Sequence, residues 1–269
     1  MSAIGLIGNL TVDRVDGRPP RIGGTVYYGA RAAARIGADT AIATRCAAED
    51  RDSLLSQLEG FGLPVTWSPG SVTAAFAFSY VGDHREMEVE AVGDPWTPAD
   101  VEGWAGVALD TEWVHVGALL RSDFPAETLA ALAAGGRRLL VDAQGLVRVG
   151  AVGPLRRDGD IDRRLLQHLA VLKLSEEESE ILAGGTDPDA LRSLGVPEVL
   201  LTLGSTGSLV VAGGIEERIE VTPITADVDP TGAGDTYALA YLHARARGQE
   251  PIEAARAASA VVAAILAGL

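Results

Sequence analysis

Residues 229–242, DPTGAGDTYALAYL, place two glycines, one alanine and the carboxylate of Asp235 at the start of an apolar helix. Gly232, Ala233 and Gly234 strip most side-chain bulk from several backbone N–H groups. Free N–H groups and the helix dipole attract a phosphate. An acid in that position repels the anion in the ground state and needs a reason to be there. General-base work is one: a carboxylate takes the proton of an attacking hydroxyl while the N–H groups stabilise charge on the phosphoryl. The plain alternative is a helix cap, since Asp is favoured near helix N-termini. A Walker A loop needs Gly-Lys-Ser/Thr, and no lysine is present here. A dinucleotide fingerprint needs a third Gly or Ala where Tyr237 stands, and it usually follows the first strand.

The rest of the chain must hold this turn in place. Apolar runs at 3–9, 39–46, 111–119, 137–144, 169–175 and 198–204 predict buried strands. Helical patterns fall between them, at 23–38, 49–62, 125–134 and 161–168. The alternation predicts an α/β fold: a mostly parallel sheet covered by helices on both faces. Two segments break the rhythm. Residues 71–92 alternate in period two around Gly82-Asp83, and 11–22 read as extended with a turn at Asp16-Gly17. They predict a small β-sheet lid over the mouth of a site; an irregular edge of the main sheet is the alternative. No linker or repeat divides residues 1–269, so a single domain is expected.

Composition narrows the function. Hydrophobic residues make up 47% of the 269, enough for a large core. The formal net charge of −15 argues against nucleic acid or an anionic membrane as partner. No apolar run has the length of a membrane span, and MSAIGLIGNL lacks the marks of a signal peptide. With Cys46 as the only cysteine, no internal disulfide can form, and a cytoplasmic setting is expected. The basic residues are 21 arginines and one lysine, Lys173.

The run D-x-x-G-A-G-D followed by a helix resembles the C-terminal signature of the PfkB, or ribokinase-like, carbohydrate kinases. Other parts of that pattern follow in order along essentially the whole chain. Gly23-Gly24 opening a helix resembles the family's di-glycine motif, which shapes the substrate site and lid hinge. Asn9 and Asp13 match the start of the pattern, where an Asp binds substrate hydroxyls. Thr202, Gly204 and Gly207 match the nucleotide-side T-x-G-x-x-G turn.

The resemblance implies an ATP-dependent, magnesium-requiring kinase acting on a hydroxyl of a small sugar or polyol. Asp235 would be the base, with the N–H groups of Gly232, Ala233 and Gly234 as the anion hole. Lys173, Ser175 and Glu178 fall on the family's K-x-N-x-x-E, with Ser175 in place of Asn. There Glu178 would hold magnesium through water, and Lys173, Ser175 and Thr231 would lie near the donor. A charged first helical turn is the alternative for Lys173 and Glu178, and a turn acid for Asp13. Tyr28 stands where the family usually has a sugar-contacting Asn. Potassium-activated members use the first Asp of the motif, here Asp229, and a C-terminal loop. Most of that loop is missing from the 34 residues after Asp235, which argues against a monovalent-cation site.

LLVDAQGLVR (139–148) and VDPTGAGD look closest to the inositol-kinase subgroup, with Gln144 joining Asp13 and Asn9 on a cyclic polyol. Arg148 and Arg85 would equally suit a phosphorylated or acidic substrate, or simply be surface arginines. A nucleoside kinase with Tyr27, Tyr28, Phe76 or Phe78 stacked on a base is the alternative within the family. A non-catalytic ligand sensor is the alternative from another class. A homodimer through the lid is an arrangement the resemblance allows.

Overall fold

The structure is a computed structural model that describes residues 3–15, 18–81, 84–221 and 230–268. Asp229 and the turns at Asp16-Gly17 and Gly82-Asp83 lie outside the described residues, as does the side chain of Arg85. The strands are β1 (Ile4–Asn9), β2 (Thr11–Val15), β3 (Arg21–Gly23), β4 (Thr40–Ala47), β5 (Val65–Gly70), β6 (Ala74–Val81) and β7 (His84–Ala91). They continue as β8 (Trp113–Gly117), β9 (Arg138–Asp142), β10 (Gly153–Pro154), β11 (Leu169–Ser175), β12 (Glu198–Thr202), β13 (Ser208–Ala212) and β14 (Ile215–Ile219).

Nine strands form one sheet in the order β14-β13-β12-β11-β9-β8-β1-β4-β5. From β12 to β5 every pairing is parallel; β13 and β14 close one edge as an antiparallel hairpin. The parallel strands are apolar on both faces because helices cover both. Ile7, Val116, Val141, Leu172 and Leu201 point into one core. Their neighbours Leu140, Val171 and Leu200 point into the opposite core, with the helices Ala233–Ala246 and Pro251–Leu266. This period-two division of buried side chains needs no polar face at all.

The two rhythm-breaking segments meet in a second sheet, ordered β10-β7-β6-β2-β3. β6 and β7 are the hairpin expected from residues 71–92, and β2 lies parallel to β6 with Asp13 opposite Phe76. The expected helix at 161–168 is a 3₁₀ segment, Arg163–His168. Asp162 caps it by accepting from Arg164 N–H within two residues, which favours a tight turn. No helix among the described residues is long and apolar enough to cross a membrane.

Candidate active site

Helix Ala233–Ala246 starts at Gly232, whose φ of 80° is left-handed and favours glycine. The ring of Tyr28 lies flush against the Gly232 Cα, so a Cβ there would enter the ring. The turn therefore touches the first helix of the chain, Thr25–Ile36, which itself begins at Gly24 with φ 90°. Ala233 N–H is donated to the Pro230 carbonyl at 2.9 Å. Of the expected anion-binding N–H groups, that one is already used. Those of Gly234 and Asp235 have no backbone acceptor among the described residues, as expected in a first helical turn.

The turn separates two cavities. One, of about 210 Å³, lies under the small sheet and is lined by Asp13, Gly24, Tyr28, Gln144, Thr231, Gly232 and Asp235. Phe76, Phe78 and Met87 supply its apolar side, and Arg148 reaches it from the end of a short helix, Gln144–Val147. The other, of about 340 Å³, is lined by Thr202, Gly204, Gly207, Ala233 and Gly234. Val221, Tyr237, Val262, Ala263 and Leu266 make that second wall mostly apolar.

Asp235 stands at the inner end of the first cavity with Oδ1 buried and without a hydrogen-bond partner. Burial, then the nearby Asp142 carboxylate, pushes its pKa up to about 6; the Thr25 hydroxyl, Lys173 and Arg148 pull the other way. Thr25 is held in turn by Gln144, whose Nε2 donates to its hydroxyl at 3.3 Å. Beneath the turn, Lys173 Nζ meets Asp142 Oδ2 at 2.5 Å, both side chains buried. The Lys173 amine would lie 3.0 Å from a Cβ on Gly234, directly under the free N–H groups. Burial alone would lower the Lys173 pKa, but Asp142 and Glu178 outweigh it and the net shift is upward. Burial would likewise raise Asp142, and Lys173 outweighs it, so that carboxyl is held below its ordinary range. His115, fully buried on the central strand β8, is kept neutral by desolvation with a pKa of about 4.

Two of the expected site residues have polar side-chain atoms engaged by other groups of the chain. The Asn9 side chain accepts from Trp96 Nε1 at 3.0 Å and donates to the Asp94 carbonyl at 3.4 Å. It anchors the chain beyond the small sheet and does not line the cavity. Ser175 pairs in register with Thr202, which lines the donor cavity, and its side chain caps helix Glu176–Ala183 in a reciprocal capping box with Glu178. Glu178 Oε2 accepts from the Ser175 N–H at 2.8 Å. Burial and then Asp142 raise the Glu178 pKa. Asp13 does reach the cavity, with its carboxylate packed on Gly23, where a Cβ would displace it.

Sequence reasoning passed over Asp142 and Thr25. The signal for Asp142 was present: a lone acid ending the apolar run of β9, at the carboxyl end of a parallel strand where α/β folds place their sites. Thr25 carried no comparable signal.

The chain resembles known proteins in sequence and in fold. The chain is 27% identical over 264 residues to a cytidine kinase of Thermococcus kodakarensis, covering 92% of this chain and 90% of that one. It is 30% identical over 176 residues to an inositol 3-kinase of Zea mays, covering 64% of this chain and 42% of the relative. Among solved structures it resembles a pyrophosphate-dependent kinase of the ribokinase family, complexed with a pyrophosphate analogue and myo-inositol. That likeness has a TM-score of 0.84 at 27% identity and covers 98% of this chain and 95% of the other. The model of the pfkB family carbohydrate kinase matches residues 23–267, and the chain belongs to that family.

Proposed function

We propose that this kinase phosphorylates a hydroxyl of a small cyclic polyol such as an inositol, with ATP and magnesium as donor. The observation that carries the reading is the unpartnered, buried Oδ1 of Asp235 at the inner end of a small polar cavity. A hydroxyl seated between Asp13, Gln144 and Asp235 would give its proton to Asp235 as its oxygen attacks the terminal phosphorus. The N–H groups of Gly234 and Asp235 would receive the phosphoryl charge, with Lys173 adding a fixed positive charge below. Phe76, Phe78 and Met87 suit the C–H face of a ring and exclude water from the transfer. The polar groups of Asp13, Gln144 and Asp235 around the cavity suit the several hydroxyls of a polyol.

The donor side supports ATP. The second cavity offers an apolar wall that suits an adenine ring and that pyrophosphate would leave unused. Likeness to a pyrophosphate-dependent kinase favours the other donor. Release of ADP from ATP and of phosphate from pyrophosphate, each measured against inositols, hexoses, pentoses and nucleosides, tests both halves. Turnover of an inositol with ATP is expected. Turnover with pyrophosphate alone overturns the donor, and turnover of nucleosides alone overturns the acceptor. Binding without turnover of any acceptor or donor would mark a sensor.

Magnesium fits the carboxylates near Lys173. Glu178 keeps Oε1 without a protein donor among the described residues, and magnesium prefers few carboxylates plus waters and phosphates. When bound, the ion neutralises charge on the donor phosphates. Glu178→Gln retains the acceptor needed for the capping box, so its fold is expected to persist. The magnesium concentration for half-maximal rate should rise by about tenfold. Superimposable magnesium titrations of variant and wild type would reduce Glu178 to a helix cap.

A further inference from the structure

Arg148 has a role that the reading above leaves open. It is half-buried, yet its guanidinium has no ion pair or hydrogen bond among the described residues, and Nε is sequestered without an acceptor. In a chain of net charge −15 this is unusual company for an arginine. Arg121, Arg157 and Arg245 nearby or elsewhere each find a carboxylate. A sequestered donor with no acceptor is costly, and such a group is retained where a ligand completes it.

The backbone of Arg148 is firmly placed. Its N–H is donated to the Gln144 carbonyl at 3.1 Å, its carbonyl accepts from Arg121 N–H at 2.9 Å, and it bridges to Arg157. Only the side chain is uncommitted, and it lines both the cavity that holds Asp235 and a neighbouring space along β6 and β7. That cavity therefore contains two buried polar atoms without partners, one acceptor on Asp235 and one donor on Arg148. A hydroxyl in the act of receiving a phosphoryl satisfies both: its proton goes to the acid and the phosphoryl oxygens accept from the guanidinium. The acids that act on Arg148 are Glu178 and Asp142 on the donor side and Asp235 on the acceptor side, with Arg157 opposing them.

We propose that Arg148 is a further catalytic residue, one whose guanidinium binds the oxygens of the phosphoryl group during transfer. The acceptor oxygen forms its bond to phosphorus as the bond to the bridging oxygen breaks. The leaving ADP, or phosphate if pyrophosphate is the donor, keeps that electron pair, Asp235 keeps the hydroxyl proton, and Arg148 keeps its own. The proposal rests on the kinase reading of the cavity and not on the acceptor being a polyol.

Arg148→Gln and Arg148→Lys are compared with wild type in three measurements. With an accepted substrate, kcat for Arg148→Gln should fall by about a hundredfold or more, while both KM values stay within about threefold. Added guanidinium ion should restore part of that rate. Aluminium fluoride should raise the melting temperature of wild type above its value with ADP alone (or with phosphate alone, for a pyrophosphate donor), and should add nothing to that of Arg148→Gln. This last reading needs no acceptor turnover, so a wild type inert to polyols would sink the polyol reading and leave the Arg148 test standing. Melting temperature without ligand should not fall in Arg148→Gln, since no bond is lost. A raised acceptor KM with intact kcat would make Arg148 an anchor for an acidic acceptor and overturn the proposal. So would an unchanged response to aluminium fluoride, or a collapse in stability shared by both variants.

Discussion

Asp235→Asn is expected to keep its fold and donor binding and to lose at least about a hundredfold in kcat, the usual scale of a general base. The same group sets two pH dependences. As a base it must be ionised, so kcat/KM of the wild type should climb as pH rises through about 6. Stability should move the other way. Burial and Asp142 raise its pKa in the folded protein above the ordinary 3.8, so the fold prefers the protonated acid. That preference costs nothing below about pH 4 and is fully felt once pH has passed about 6. Asp235→Asn should therefore melt higher than wild type at pH 7, by about 2–4 °C for each kcal/mol recovered, and with no advantage at pH 4. Near wild-type kcat in the variant would remove Asp235 from the chemistry. Equal melting at pH 7 would show that the carboxylate is solvated and not strained.

The second large effect is expected at Asp142. Removing it as Asp142→Ala leaves Lys173 buried at 6% exposure with its 2.5 Å partner gone. Breaking a buried pair from one side costs about 3–5 kcal/mol, because the remaining charge is uncompensated. The double variant Asp142→Ala, Lys173→Met should recover much of that loss, since neither charge is then buried alone. It should still be a poor kinase, for the positive charge beneath Gly234 has gone. Urea denaturation of the two single variants and the double variant gives the coupling directly. If Asp142→Ala costs under about 1 kcal/mol, Lys173 has reached water or another acid, and the pair does not hold the turn.

Much of this arrangement was legible because it rests on local rules. β1, β4, β8, β9, β11 and β12 all arise within the apolar runs that suggested them, or within a residue of them. The glycine turn with its acid was recognisable because few other demands put Gly, Ala, Gly and Asp together at a helix start. The edge hairpin β13–β14 was missed: its two-residue turn at Gly213-Gly214 is a hairpin signal, but Glu216, Glu217 and Arg218 made the second strand look like solvent-exposed chain. An edge strand tolerates those charges because only one side of it is paired.

The site was legible by type and not by partner. Asn9 and Ser175 have the right residue chemistry in the right order, but a tertiary contact with Trp96 claims the Asn9 oxygen and a local capping box with Glu178 claims the Ser175 hydroxyl. Asp142 and Arg148 sat inside a segment already singled out, LLVDAQGLVR. Nothing in one dimension says that an acid at its start will pair with Lys173 while an arginine at its end finds no side-chain partner among the described residues.

The raised pKa of Asp235 also bears on the sequence of events in one catalytic cycle. A carboxylate that already titrates near the neutral range responds strongly to any new anion beside it. Terminal phosphate arriving at the Gly234 turn before the acceptor would push that pKa further up and cause the acid to take up a proton from solvent. A base loaded in this way cannot accept the acceptor's proton. With the hydroxyl seated first, its O–H donates to the ionised carboxylate and holds it in that form as the phosphate approaches. To the extent that magnesium leaves charge on the donor phosphates, an acceptor-first order keeps Asp235 ionised. An expected consequence is inhibition by excess donor that strengthens as pH falls through about 6, measured as rate against donor concentration at several pH values.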